Sequence, residues 1–166
     1  MMASDAHDPA DGELSMALTV RPIGFAHSSY ADRHSAPRQP AAARDVRGEI
    51  RLLPSAQFEH ALADLESFSH LWVIFWFHLN SHFRPKVAPP RSEQKRGLFA
   101  TRSPYRPNPL GLSLVKLERV EGHTLYVCDM DLVDGTPVLD IKPKGFFPAP
   151  PFSGADSLGP AVGDLH

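Results

Sequence analysis

The chain has 166 residues, 42% of them hydrophobic and 22% charged, with a formal net charge of −2. That is enough for one domain with a real core, and it excludes a surface that is basic all over, so any nucleic-acid contact must come from a local patch. One cysteine, Cys128, excludes an intramolecular disulfide and fits a reducing compartment.

Residues 1–17 mix Ala, Asp, Ser, Gly and Pro without periodicity and read as a disordered tail, with no basic start and apolar run of a signal peptide. Leu18 to Phe25 alternates apolar and polar residues and reads as a strand that Pro22 makes an edge or a bulge. His27 to Arg38 is loop. Pro37-Arg38-Gln39-Pro40 is a proline-bracketed polar pair that, on its own residues, reads as an exposed linker. Gly48 to Leu53 reads as a strand. Ser55 to Phe68 reads as a helix, with Ser55 as N-cap and Phe58, Ala61, Leu62 and Leu65 on one face.

Leu71 to Leu79 is a continuous β-branched and aromatic run, too short to cross a bilayer as a helix. It reads as a strand buried on both faces, one of them against a partner copy, where aromatic residues are enriched. His78 and His82 lie across the strand end, which is not a ligand spacing, and no cysteine or carboxylate cluster completes a metal site, so no metal is expected. Arg84 to Arg96 is the densest positive stretch, with Lys86, Arg91 and Lys95 among prolines. Two readings stay open for it: a solvated loop, or a patch in which Arg91, Lys95 and Arg96 meet RNA phosphates.

Gly97 to Gly111 reads Gly-Leu-Phe-Ala-Thr-Arg-Ser-Pro-Tyr-Arg-Pro-Asn-Pro-Leu-Gly. Pro104, Pro107 and Pro109 fix φ and remove donors, and the residues before them are pushed toward extended conformations. The segment must be a stiff loop, entered from a short apolar strand (Leu98 to Ala100) and left through another (Leu112 to Leu117). It presents Arg102, Ser103, Tyr105, Arg106 and Asn108, and a stiff polar loop on a scaffold is a natural place for binding residues. Leu112 to Arg119, Thr124 to Met130 and Val138 to Ile141 read as strands, the first two joined at Gly122-His123. Asp129, Asp131, Asp134 and Asp140 surround Asp134-Gly135, which reads as a hairpin turn. Four carboxylates there suit a polyol or a cation-bearing ligand. After Pro143 the composition turns to Pro, Gly, Ala and Ser, a second irregular tail over residues 145–166.

Phe99-Ala-Thr-Arg-Ser-Pro, Arg106-Pro-Asn-Pro-Leu-Gly and Asp131-Leu-Val-Asp-Gly-Thr-Pro-Val-Leu-Asp-Ile-Lys-Pro together resemble the TsaA-like family. Pro37 to Pro40, Gly48-Glu-Ile and Phe68-Ser-His-Leu-Trp72 extend the likeness over roughly residues 19 to 144. The family includes the TrmO enzymes, S-adenosylmethionine-dependent tRNA adenine-N6 methyltransferases. The resemblance implies a mainly β, single-domain barrel over residues 18–144 with one or two peripheral helices, a cytoplasmic homodimer, and a cofactor pocket at the dimer interface. It assigns the cofactor to Arg38, Gln39, Pro40, His78, Leu79, Arg102, Leu112, Cys128, Asp129, Met130, Asp131 and Leu132. The tRNA falls to Arg91, Lys95, Arg96 and Arg106. Many bacterial members continue into a second, smaller domain where this sequence turns to its tail, so the tRNA specificity carries over less directly than the cofactor binding.

The Rossmann glycine fingerprint is absent. The implied reaction is methylation of N6 of threonylcarbamoyl adenosine at position 37 of tRNA. The alternatives are a methyltransferase of the same fold with another acceptor, and a non-enzymatic cofactor-binding module.

Overall fold

The computed structural model describes residues 18–32, 45–89 and 94–145. Both tails and Arg38, Gln39, Pro40 and Arg91 lie outside these residues.

Eight strands form, numbered in chain order: β1 (Gly24–His27), β2 (Gly48–Leu52), β3 (His70–Trp76), β4 (Lys86–Val87), β5 (Arg96–Gly97), β6 (Leu110–Glu121), β7 (Thr124–Cys128) and β8 (Pro137–Pro143). Six of them close a barrel in the order β1-β2-β7-β6-β3-β8, every pairing antiparallel. β4 and β5 make a separate two-stranded ribbon. The expected barrel is therefore the observed one. It closes because alternation with period two gives each strand one apolar side, and those sides share an interior. Ile50, Leu71, Val73, Val115, Leu125 and Val127 are fully buried there, each worth about 1.5–3 kcal/mol on removal from water.

Several boundaries differ from the sequence expectation. Leu18 to Ile23 is not strand, and Leu18 and Val20 are exposed; Pro22 cannot donate to a ladder, so β1 starts after it. The helix is short. α1 (Ala56–Ala61) is capped by Ser55, whose hydroxyl accepts from Gln57 N at 3.3 Å. Asp64 sits at φ 64 and breaks the helix, and a 3₁₀ turn follows at Leu65–Ser67. The segment Leu98–Ala100 is also a 3₁₀ turn, the strand before it being Arg96–Gly97.

Asp134-Gly135 is a turn, with Gly135 at φ 73 and Thr136 N donating to Val133 O at 3.1 Å. It is not a hairpin: β7 pairs with β2 and β6, whereas β8 pairs with β1 and β3. The two-residue hairpin is Gly122-His123, between β6 and β7.

Within the single chain, β3 is buried on one face only. Leu71, Val73 and Phe75 enter the core, while Trp72 and Ile74 are half-buried and Trp76 is 43% exposed. Across the register these outward residues oppose Leu114, Leu112 and Leu110 of β6. Leu110 and Leu112 are 45% and 47% exposed. The barrel wall thus carries an apolar outer face on β3 and β6, an unusual surface for an isolated domain.

Candidate functional site

Arg102 leaves the proline-rich loop and lays its guanidinium on β6, with Nη2 donating to Leu112 O at 2.6 Å. The loop is stiff for identifiable reasons. Thr101 Oγ1 donates to Leu98 O at 2.7 Å and accepts from Ser103 N at 3.3 Å. Arg106 Nη1 donates to Thr101 O at 3.0 Å and to Ser103 O at 3.4 Å. Arg84 lies over the Tyr105 ring at 4.3 Å. Arg106, expected to meet RNA, therefore directs Nη1 inward as a brace of the loop.

One residue along β6 from Leu112, Ser113 points inward and is 3% exposed. It hydrogen-bonds Asp131, whose carboxyl also feels the Arg102 guanidinium. Burial pushes the Asp131 carboxyl above the usual carboxylate range, against the pull of Ser113, its own backbone amide and Arg102. Asp131 Oδ1 is buried and has no hydrogen-bond partner among the described residues. An unmet buried acceptor costs about 1–3 kcal/mol, more when charged, so the fold holds this oxygen at a cost that a ligand donor would remove.

The other carboxylates of the cluster are already occupied. Asp129 Oδ1 accepts from Asp45 N at 3.0 Å. Asp134 Oδ1 accepts from Ser28 N at 3.1 Å and lies 3.4 Å from His27 Nδ1. Asp140 Oδ1 accepts from Ile141 N, and its Oδ2 pairs with Lys142 Nζ at 2.6 Å. Of the four, Asp131 is the one with a buried oxygen that lacks a donor among the described residues.

The segment Cys128 to Leu132 is divided by the fold. Asp129 adopts φ 62, a left-handed conformation that turns the chain out of β7. Met130 and Leu132 enter the core at 0% and 2% exposure, so only their backbone can meet a ligand. Cys128 and Asp129 line an outer-wall cleft with Asp45, Arg47, Lys116 and Glu118, a cleft that Arg102 and Asp131 do not line. Cys128 Sγ donates to Glu118 Oε1 at 2.9 Å, which pushes its thiol pKa up and keeps it neutral. His78 and Leu79 follow β3 near Leu110; His78 stacks edge-on to Trp76 at 6.4 Å, and Leu79 is exposed. No hydrogen bond or ion pair among the described residues joins either to Arg102 or Asp131. Of the expected cofactor residues, Arg102, Leu112 and Asp131 come together, and Ser113 joins them. Sequence reading missed Ser113, although a hydroxyl at an inward position between Gly111 and Val115 was a signal. Among the described residues no three His, Cys, Asp or Glu side chains are placed to hold a metal.

A family model described as the tRNA-methyltransferase O N-terminal domain matches residues 25–147. The chain belongs to that family. The tRNA (adenine(37)-N6)-methyltransferase of Mus musculus is 46% identical over 131 residues, covering 76% of this chain and 30% of that protein. A probable S-adenosyl-L-methionine-binding protein of Methanothermobacter thermautotrophicus is 39% identical over 144 residues, covering 87% and 97%. The crystal structure of TrmO from P. aeruginosa superposes with a TM-score of 0.65 at 42% identity, covering 79% of this chain and 57% of that one. The chain thus spans less than a third of the mouse protein but nearly all of the archaeal one. Arg102, Ser113 and Asp131 all fall inside the TrmO-type domain.

Asp131→Asn is expected to raise the unfolding midpoint near neutral pH. The folded pKa lies above the unfolded one, so the carboxyl's contribution is full below its unfolded pKa and is lost as pH rises through the folded value. The gain from asparagine must then shrink as pH falls through the carboxylate range. Thermal unfolding across that range checks it, and a pH-independent difference would refute it.

Proposed function

We propose that this chain binds S-adenosyl-L-methionine and transfers its methyl group to N6 of threonylcarbamoyl adenosine at position 37 of tRNA. The observation that carries the reading is the unpartnered Asp131 Oδ1 beside Arg102, within a chain whose mouse relative is named tRNA (adenine(37)-N6)-methyltransferase. These residues fit the cofactor. A carboxylate oxygen lacking a donor suits a ribose hydroxyl or an ammonium, and a guanidinium suits a carboxylate. Arg38, Gln39, Pro40, His78 and Leu79, and the backbone of Asp129 to Leu132, would complete the binding.

When bound, the cofactor supplies an electrophilic methyl group on a sulfonium. The chain's own part is to hold and align. Arg102 fixes an anionic end while anchored on Leu112 O, Asp131 accepts from a donor it otherwise lacks, the proline-rich loop keeps Arg102 from drifting, and Ser113 holds Asp131. Methyl transfer from isotope-labelled cofactor into tRNA, followed by nucleoside mass spectrometry, tests the activity. Cofactor binding without transfer would instead select the binding-module reading, which the archaeal relative's description favours.

A second copy would cover the apolar face formed by Trp72, Ile74, Trp76, Leu110, Leu112 and Leu114, making the chain a homodimer. Leu112 lies on that face and accepts from Arg102, so the cofactor site would sit at the interface. Leu112→Asp is expected to convert the dimer to a monomer in sedimentation velocity; a wild-type monomer would sink this assignment. Among the described residues no helix is long and apolar enough to cross a membrane. A tRNA acceptor is compatible with work in the cytoplasm, which is part of the same proposal.

Lys86, Lys95 and Arg96 stand exposed on the β4–β5 ribbon and beside it. The ion pairs among the described residues all lie elsewhere, so these charges are available to phosphates. A double change of Lys95 and Arg96 to alanine should leave cofactor affinity intact, weaken tRNA binding, and flatten the salt dependence by about one unit of slope per lost contact. Filter binding across a salt series and calorimetry with cofactor read the two effects separately. Lost cofactor affinity with an unchanged salt slope would refute the assignment.

A further inference from the structure

Phe99 is 78% exposed, among the most exposed of the large apolar residues in the described chain. It does not sit on a slack tip. Its neighbour Leu98 is buried at 2%, and Leu98 N donates to Pro85 O at 2.9 Å. Thr101 returns both its amide and its hydroxyl to Leu98 O. The 3₁₀ turn is thus clamped on both sides of the ring. The Arg106 guanidinium lies 5.6 Å from the ring centroid, and its Nη1 is held by the Thr101 and Ser103 carbonyls. A cation at that distance attracts the π-face. The ring is therefore oriented while most of its surface faces solvent.

The surroundings indicate what it faces. Phe99 lies in the 3₁₀ turn that directly follows β5, and Lys86 and Arg96 on the ribbon, with Lys95 beside it, are exposed and in none of the ion pairs among the described residues. An exposed, oriented aromatic beside exposed positive charge is the arrangement that holds single-stranded nucleic acid: cations track phosphates, and a base stacks on the ring. The apolar face proposed for dimerisation lies on β3 and β6, and Phe99 belongs to neither strand.

We infer that Phe99 is a stacking platform for an unpaired nucleobase of the RNA substrate, with Arg106 as the residue that positions its ring. The inference rests on the tRNA reading and adds the contact that would hold a splayed base near Arg102, three residues away. It makes Arg106 an indirect contributor to RNA binding, through the ring it orients.

The test uses the full chain and a synthetic anticodon stem-loop RNA with 2-aminopurine at position 37. Stacking on Phe99 should quench the probe when wild-type protein binds. Phe99→Ala should remove most of the quenching and weaken RNA binding about tenfold to a hundredfold, as loss of one base–aromatic stack does. Phe99→Trp should restore both. Because Phe99 is exposed, thermal unfolding and cofactor affinity should not change. Wild-type protein that binds the RNA while the probe stays bright overturns the platform and leaves the tRNA reading standing. Wild-type protein that binds no RNA overturns both. Dissociation of a dimer by Phe99→Ala, with quenching retained, assigns the ring to a second copy instead.

Discussion

Arg102→Ala should lower methyl transfer by about 10²–10³-fold while leaving the fold intact. Arg102 is exposed, so its removal uncovers no core. The loss at the site has two parts. A guanidinium offers a fork of donors to a carboxylate or phosphate, and a charge-assisted hydrogen bond is worth about 1.5–3 kcal/mol. Arg102 also lowers the Asp131 carboxyl against the effect of burial. Without it Asp131 rises further and is neutral over a wider pH range, weakening it as an acceptor. Together these correspond to a fall in kcat/KM of about 10²–10³-fold, the scale of losing one preorganised electrostatic contact. Arg102→Lys should recover little, because an ammonium keeps the charge but not the fork, which must reach Leu112 O and a ligand together. Near-normal turnover in Arg102→Ala would place the chemistry elsewhere on the barrel.

The sequence made the local devices legible and the long-range ones less so. Prolines and paired arginines marked the loop from Gly97 to Gly111 because backbone restriction is written residue by residue. β2, β6 and β7 were readable from alternation. β3 was readable as a strand but not in what covers its outer face, because an unbroken apolar run has the same pattern whether that face is buried in this chain or left for a second one. Asp134-Gly135 has the chemistry of a turn, but which strands a turn joins depends on barrel register, and here they are not neighbours. Family resemblance named Arg102, Leu112 and Asp131 among its cofactor residues, and the structure brings these three together. The resemblance could not distinguish a carboxylate free for a ligand from Asp129, Asp134 and Asp140, which are engaged by backbone amides and nearby side chains. That distinction depends on contacts such as Asp45 N to Asp129 Oδ1, across 84 positions. Ser113 was passed over for a related reason: a single hydroxyl becomes informative only once its strand position is known to face a buried acid.

Gly24→Ala should be among the most damaging single methyl additions to the barrel. β1 is four residues long and is the strand that completes closure, paired with β2 on one side and β8 on the other. Gly24 opposes both Leu52 and Val138. A Cβ there would lie 2.4 Å from Arg51 O and 2.8 Å from Leu52 Cα. Those are backbone atoms of the neighbouring strand, so no rotamer change relieves the contact. β1 must move away from β2, and the ladder that closes the barrel opens toward two unpaired edges. Gly111 provides the comparison. A Cβ there would come within 2.2 Å of the Phe75 ring, nominally closer. The obstacle is a side chain, however, and Phe75 can tilt against Phe77, its edge-on neighbour at 5.0 Å. Overpacking usually costs about 1–3 kcal/mol; Gly111→Ala belongs in that range and Gly24→Ala at or above its top. About 3 kcal/mol is a large share of a domain's roughly 5–15 kcal/mol and lowers Tm by about 10 °C at this chain length. Circular dichroism melts of the two variants beside wild type measure both. The order of the two is the sharper test: if Gly111→Ala melts lower than Gly24→Ala, the backbone at the β1–β2 closure yields more readily than a buried ring, and the rigidity assigned to that seam is wrong.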